Sequence, residues 1–96
     1  MEKQNYYINL YDYYGRLLSK KQQTYFEYYY FNNLSLAEIS QLLQISRNAI
    51  HKTLKKIEQK LDFYEEILQL YYKKNKLDKI IIDLDENIKT EIKNLY

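Results

Sequence analysis

The chain has 96 residues, a net charge of +2, no cysteine, no proline and one glycine. That length suits one core; the missing cysteines exclude disulfides, thiolate metal sites and a thiol nucleophile, and the missing proline with the many charges favours long helices over strands. The longest aliphatic run, at 80–82, is far too short for a membrane span, and residues 1–9 are polar and Tyr-rich, unlike a secretory leader. The composition therefore predicts an all-α cytoplasmic protein with no membrane insertion.

The first helix is expected over residues 5–14. Tyr7, Leu10, Tyr14 and Leu17 step by three, four and three, which sets them on one stripe. Gly15 is placed to end that helix as its C-cap, a position where glycine commonly supplies a left-handed residue. Ser19, followed three residues later by Gln22, is a capping box that opens a second helix. Tyr25, Phe26, Tyr28, Tyr29 and Tyr30 follow. Five aromatics in six positions span most of a helix circumference, so some must stay exposed. Exposed tyrosines suit a partner surface or stacking on unpaired bases.

The organising stretch is 35–61. Ser35 and Glu38 form another capping box, and Leu36, Ile39, Leu42 and Leu43 give the helix one apolar face. Ser46 supplies a second N-cap just beyond a short corner at Gln44 and Ile45. Two caps at this separation leave room for about two turns and a corner, the spacing of a helix-turn-helix. Gln44 falls where such corners favour glycine, and a non-glycine left-handed residue costs roughly 1 kcal/mol.

The second helix of the motif holds the positive charge. Residues 1–46 and 61–96 carry net charges of zero and −2, whereas 47–60 hold five bases against Glu58 alone. Ile50, Leu54 and Ile57 form its core face, and Asn48, Lys52, Lys55 and Gln59 lie opposite. A helix seated in a major groove offers its N-terminal residues to base edges, so Asn48, His51 and Lys52 are candidates for that contact. Ser46, Arg47, Lys55 and Lys56 complete the candidate nucleic-acid surface, mainly on phosphates. The bland alternative is a solvated basic face.

The apolar stripe continues without a break through Leu61, Tyr64, Leu68 and Tyr71. This heptad spacing predicts one helix of about 33 Å. A chain this short has few segments to cover it, so Leu61, Tyr64, Leu68 and Tyr71 are expected to form the seam of a homodimer. The polar run at 73–76 divides residues 1–72, the helix-turn-helix domain with its long helix, from a helical tail over 73–96. The tail is expected to begin at Leu77, or to restart near Asp83 with Asp83 and Glu86 as a capping pair, and to fold on the long helix or on the dimer partner. Nothing suggests an enzyme. His51 is the lone histidine, the acids are scattered, and one glycine cannot build a phosphate loop. No metal or cofactor is expected.

These segments carry a resemblance. The run from Ser35 to Arg47 resembles region 4 of bacterial sigma factors, where a similar S/T-L-x-E-I leads through a corner into S/T-R and a basic helix. The fuller match is to the YlxM family, UPF0122. Its pattern is met at Tyr25, Glu27, Tyr29 and Tyr30, then over 35–39. It resumes at Ile45, Ser46, Arg47, Ala49 and Ile50, and then at Glu58, Leu61, Tyr64, Glu65 and Leu68. The resemblance covers about residues 10–72. It implies an all-helical, sigma-region-4-like DNA-binding fold, a dimer, and a link to the signal recognition particle pathway through neighbouring genes. The implied partners are duplex DNA, the particle's RNA or its protein. The chain departs from the pattern at Gln44, where relatives have glycine, and at His51 and Lys52, where they resemble Tyr-Asp. Lys52 removes an acid that would oppose phosphates.

Overall fold

The computed structural model describes residues 2–82 and 86–95. Six α-helices are found among them, and no strand. Helix α1 (Glu2–Tyr14) runs through a 3-10 turn (Gly15–Leu17) to α2 (Lys20–Phe26). A π-helical turn (Glu27–Phe31) prolongs α2. Then come α3 (Leu36–Leu43), α4 (Arg47–Leu68), α5 (Leu70–Ile81) and α6 (Glu86–Lys93).

Helix α4 is the axis on which α1, α2 and α3 pack. Its Ile50, Leu54, Ile57 and Leu61 meet Tyr7, Leu10 and Tyr14 of α1, Tyr25 and Phe26 of α2, and Ile39 of α3 in one core. Each such side chain contributes roughly 1.5–3 kcal/mol by leaving water. Aromatic packing orders the layer between α1 and α2. Tyr11 stacks on Phe26 at 4.2 Å, and Phe26 on Tyr30 at 4.3 Å.

Three short-range expectations change here. Gly15 has no positive φ. A close approach favours glycine instead, since a Cβ there would lie 3.0 Å from the Tyr11 ring, which stacks on Phe26. The 3-10 turn also advances the register after Tyr14. Leu18 is therefore buried in place of Leu17, which is 52% exposed. Leu42 is exposed as well, because Ile39 occupies the core position of α3 while Leu36 and Leu43 flank it.

The aromatic run does divide between core and surface. Tyr25, Phe26 and Tyr30 are buried, while Tyr29 and Phe31 are exposed. The widened turn is closed by the Asn32 amide donating to the Glu27 carbonyl at 2.9 Å, one residue farther than in an α-helix. Asn33 then takes a left-handed conformation and ends the element.

The predicted long helix ends at Leu68. Gln69 is left-handed, with φ 55°, and a new helix starts at Leu70. The cause is a polar node that periodicity does not report. The Tyr14 hydroxyl donates to Glu65 and accepts from the Leu70 amide at 3.0 Å. The Glu65 carboxylate accepts from the amides of Tyr71 and Tyr72 at 3.2 and 3.0 Å. The first free amides of α5 are thereby capped from α1 and α4. Residues 73–76 lie inside α5 rather than breaking the chain, and α5 runs across the expected boundary at 72. The expected Asp83–Glu86 capping pair lies outside the described residues.

Candidate nucleic-acid interface

The motif is assembled by its caps. Ser35 accepts from the Glu38 amide at 3.1 Å, and the Glu38 carboxylate accepts from the Ser35 amide at 2.9 Å. These bonds hold the Glu38 carboxyl below its ordinary pKa. At the corner, Gln44 adopts φ 57° and ψ 42°, its amide donating to the Ser40 carbonyl. The strain expected of a left-handed Gln is thus present, offset in part by its side-chain amide donating to Gln41 at 3.0 Å. The Ser40 hydroxyl donates to the Ile45 carbonyl across the corner. Ser46 then accepts from the Ala49 amide at 3.1 Å and starts α4.

Beyond this cap the two faces of α4 separate. Ile50, Leu54 and Ile57 are buried. Arg47, Asn48, His51, Lys52, Lys55 and Lys56 are all exposed. Ser46 is exposed too, with its oxygen engaged as the cap by the Ala49 amide and its O–H still able to donate. Lys55 lies 3.6 Å from Glu58, while Arg47, Lys52 and Lys56 have no ion-pair partner among the described residues. The exposed face therefore offers uncompensated cations on one side of a rigid helix.

Of the four seam positions, Leu61 is completely buried in the core of a single chain. Tyr64 and Tyr71 are half-buried, with rings near Tyr14 at 6.0 Å and near Tyr6 and Tyr13 at 5.9 and 6.5 Å. Leu68 is exposed, as are its neighbours Phe63, Ile67 and Leu70. The break at Gln69 is the reason: it turns Tyr71 back onto α1.

Glu58, on the basic helix, is buried, which no local pattern signals. It accepts a hydrogen bond from the Tyr30 hydroxyl, whose pKa is raised first by burial and then by that bond. Nor was it legible that Lys3 and Asn33 lie beside His51 and Lys55. These residues are far apart in the chain and share no motif. Among the described residues, no cluster of His, Cys, Asp or Glu could hold a metal ion, and no helix is long and apolar enough to cross a membrane.

Comparison with known proteins agrees with this geometry. Residues 1–95 match the family model UPF0122, described as "Putative helix-turn-helix protein, YlxM / p13 like". The chain is 53% identical over 75 residues to a UPF0122 protein of Thermoanaerobacter pseudethanolicus, an alignment covering 74% of this chain and 64% of that one. It is 49% identical over 79 residues to one from Caldanaerobacter subterraneus subsp. tengcongensis, covering 82% and 68% of the two chains. A Listeria monocytogenes relative is 36% identical over 87 residues, covering 91% and 79%. The chain thus spans just under two thirds of the length of the first of these relatives.

Proposed function

Because this chain belongs to the UPF0122 family of helix-turn-helix proteins, we propose that it is a non-enzymatic regulator that binds duplex DNA through the exposed face of α4. The observation that carries this reading is the capped start of α4, which presents Arg47, Asn48, His51 and Lys52 together on one exposed surface. Asn48, His51 and Lys52 would meet base edges, while Arg47, Lys55 and Lys56 would meet phosphates. With three phosphate contacts beside three base contacts, a large part of the affinity is electrostatic.

The partner chain in this reading is a second copy. Phe63, Ile67 and Leu68 near the C-terminal end of α4, and Leu70 just beyond it, are exposed apolar side chains. We therefore assign the proposed homodimer seam to these residues, keeping Leu68 of the expected four and leaving Leu61, Tyr64 and Tyr71 to the core of one chain.

A second reading rests on the exposed Tyr29 and Phe31. These rings suit an unpaired RNA stretch or a protein surface, and would make the chain an accessory of the signal recognition particle in the cytoplasm. One experiment separates the two. The chain is titrated at one moderate salt concentration against a duplex and against the particle's RNA of matched length. The variant Arg47→Glu/Lys52→Glu is run in parallel. The DNA reading predicts duplex binding at least equal to RNA binding and a loss of tenfold or more in the variant. RNA binding tighter by tenfold supports the accessory, and duplex affinity within twofold in the variant rejects α4 as the interface.

A further inference from the structure

A cleft of about 430 Å³ opens between α1, the π-turn and α4, on the flank of the basic face. That volume falls in the range of roughly 300–1,000 Å³ typical of small-molecule sites. Leu34, Leu36 and Leu54 give its lining an apolar part. One wall is the ring of Tyr29, set edge-on against Tyr30 with centroids 5.1 Å apart. The rim carries Lys3 from α1 with His51 and Lys55 from α4. One carboxylate faces the cleft, that of Glu58, which is only 9% exposed, accepts from Tyr30 and pairs with Lys55.

We propose that this cleft binds a nucleotide, with the base on the three leucines against Tyr29 and the phosphate on Lys3, His51 and Lys55. Each part of the cleft matches one part of that ligand. An aromatic wall and aliphatic side chains take the π-faces of a base. Two ammonium groups and an imidazole N–H donate to phosphate oxygens in charge-assisted bonds. The Glu58 carboxylate, in the same lining, would accept from an exocyclic amine, which adenine, cytosine and guanine have and uracil and thymine lack. The π-turn places Tyr29 and Tyr30 together on this cleft, and such turns recur at functional sites.

Two sources supply this chemistry: a free nucleotide, or an unpaired nucleotide of a nucleic acid bound on α4 through Arg47, Asn48, Lys52 and Lys56, which leaves His51 and Lys55 to the cleft. In the second case the inference rests on the proposed function. The test uses the full chain and two variants away from the α4 face, Lys3→Gln and Tyr29→Leu, each checked for native helicity by circular dichroism. Calorimetric titration with AMP, GMP and UMP reads the free source. Anisotropy with a blunt duplex, and with the same duplex carrying a short single-stranded adenine extension, reads the tethered one.

The expected result is that AMP or GMP binds at least fivefold tighter than UMP, or that the extension raises duplex affinity at least fivefold. Both variants should remove that gain. If neither free nucleotides nor the extension adds binding, or if the gain survives both substitutions, the cleft is not a nucleotide site. If AMP binds while the blunt duplex does not, the α4 reading fails and the cleft stands.

Discussion

At the residue scale, the fold is stitched by tyrosines that donate to carboxylates. Tyr7 bonds Asp62 at 2.9 Å and Tyr11 bonds Glu27 at 2.6 Å, while Tyr14 bonds Glu65 and Tyr30 bonds Glu58. Burial is the largest influence on each phenol, followed by the bonded carboxylate, and both raise its pKa. Tyr14 is pushed from its ordinary 10 to about 12. A phenol with a raised folded-state pKa contributes stability that is complete below the unfolded value and lost as pH climbs through the folded one. Tyrosine ionisation should therefore leave stability unchanged below pH 10 and erode it between 10 and 12. The check is a pH series of phenolate absorbance beside helical circular dichroism. The four bonded tyrosines should ionise only as helicity falls. If all thirteen tyrosines titrated near 10 with helicity intact, these bonds would be absent in solution.

At the element scale, the node of Tyr14 and Glu65 decides where α4 ends. Glu65→Ala removes the acceptor of the Tyr71 and Tyr72 amides and of the Tyr14 hydroxyl. Leaving such groups unpaired costs about 1–3 kcal/mol. Amide exchange over 70–72 should accelerate in this variant by tenfold or more, while amides at the Ile50–Ile57 core face slow or hold. Unchanged exchange over 70–72 would show that the node does not fasten α5. The same node explains what the sequence could and could not convey. Ser19, Ser35 and Ser46 announce their caps because a cap is a local event, and Ile50, Leu54 and Ile57 announce a buried face because periodicity is local too. The break at Gln69 is made by a tyrosine 55 residues earlier, so a stripe that keeps its rhythm from Ile50 to Tyr71 hides it. Leu17 and Leu18 exchange places for a related reason: a single 3-10 turn shifts the register by less than a stripe can reveal. The candidate site was legible on α4 itself, whereas Lys3, Tyr29 and buried Glu58 needed the tertiary fold to bring them together.

At the scale of the whole molecule, the cations of α4 lie over 47–60, and exposed Phe63, Ile67 and Leu68 follow toward its C-terminal end. A dimer joined at that end would carry two basic faces, the arrangement by which helix-turn-helix proteins meet two half-sites. Wild-type chain at tens of micromolar should sediment as two copies, and Phe63→Asp/Ile67→Asp as one with its helicity kept, since both side chains are more than half exposed. Wild-type sedimentation as a single chain would remove the dimer from the account.

The central claim, that α4 engages the phosphates of duplex DNA, is tested most directly by the salt dependence of binding. Three phosphate contacts, at Arg47, Lys55 and Lys56, predict a slope of about −3 for log affinity against log salt concentration. The native chain should show that slope, and Arg47→Glu/Lys56→Glu a slope shallower by about two. A native slope shallower than about −1, or one that the substitutions leave unchanged, would contradict the claim.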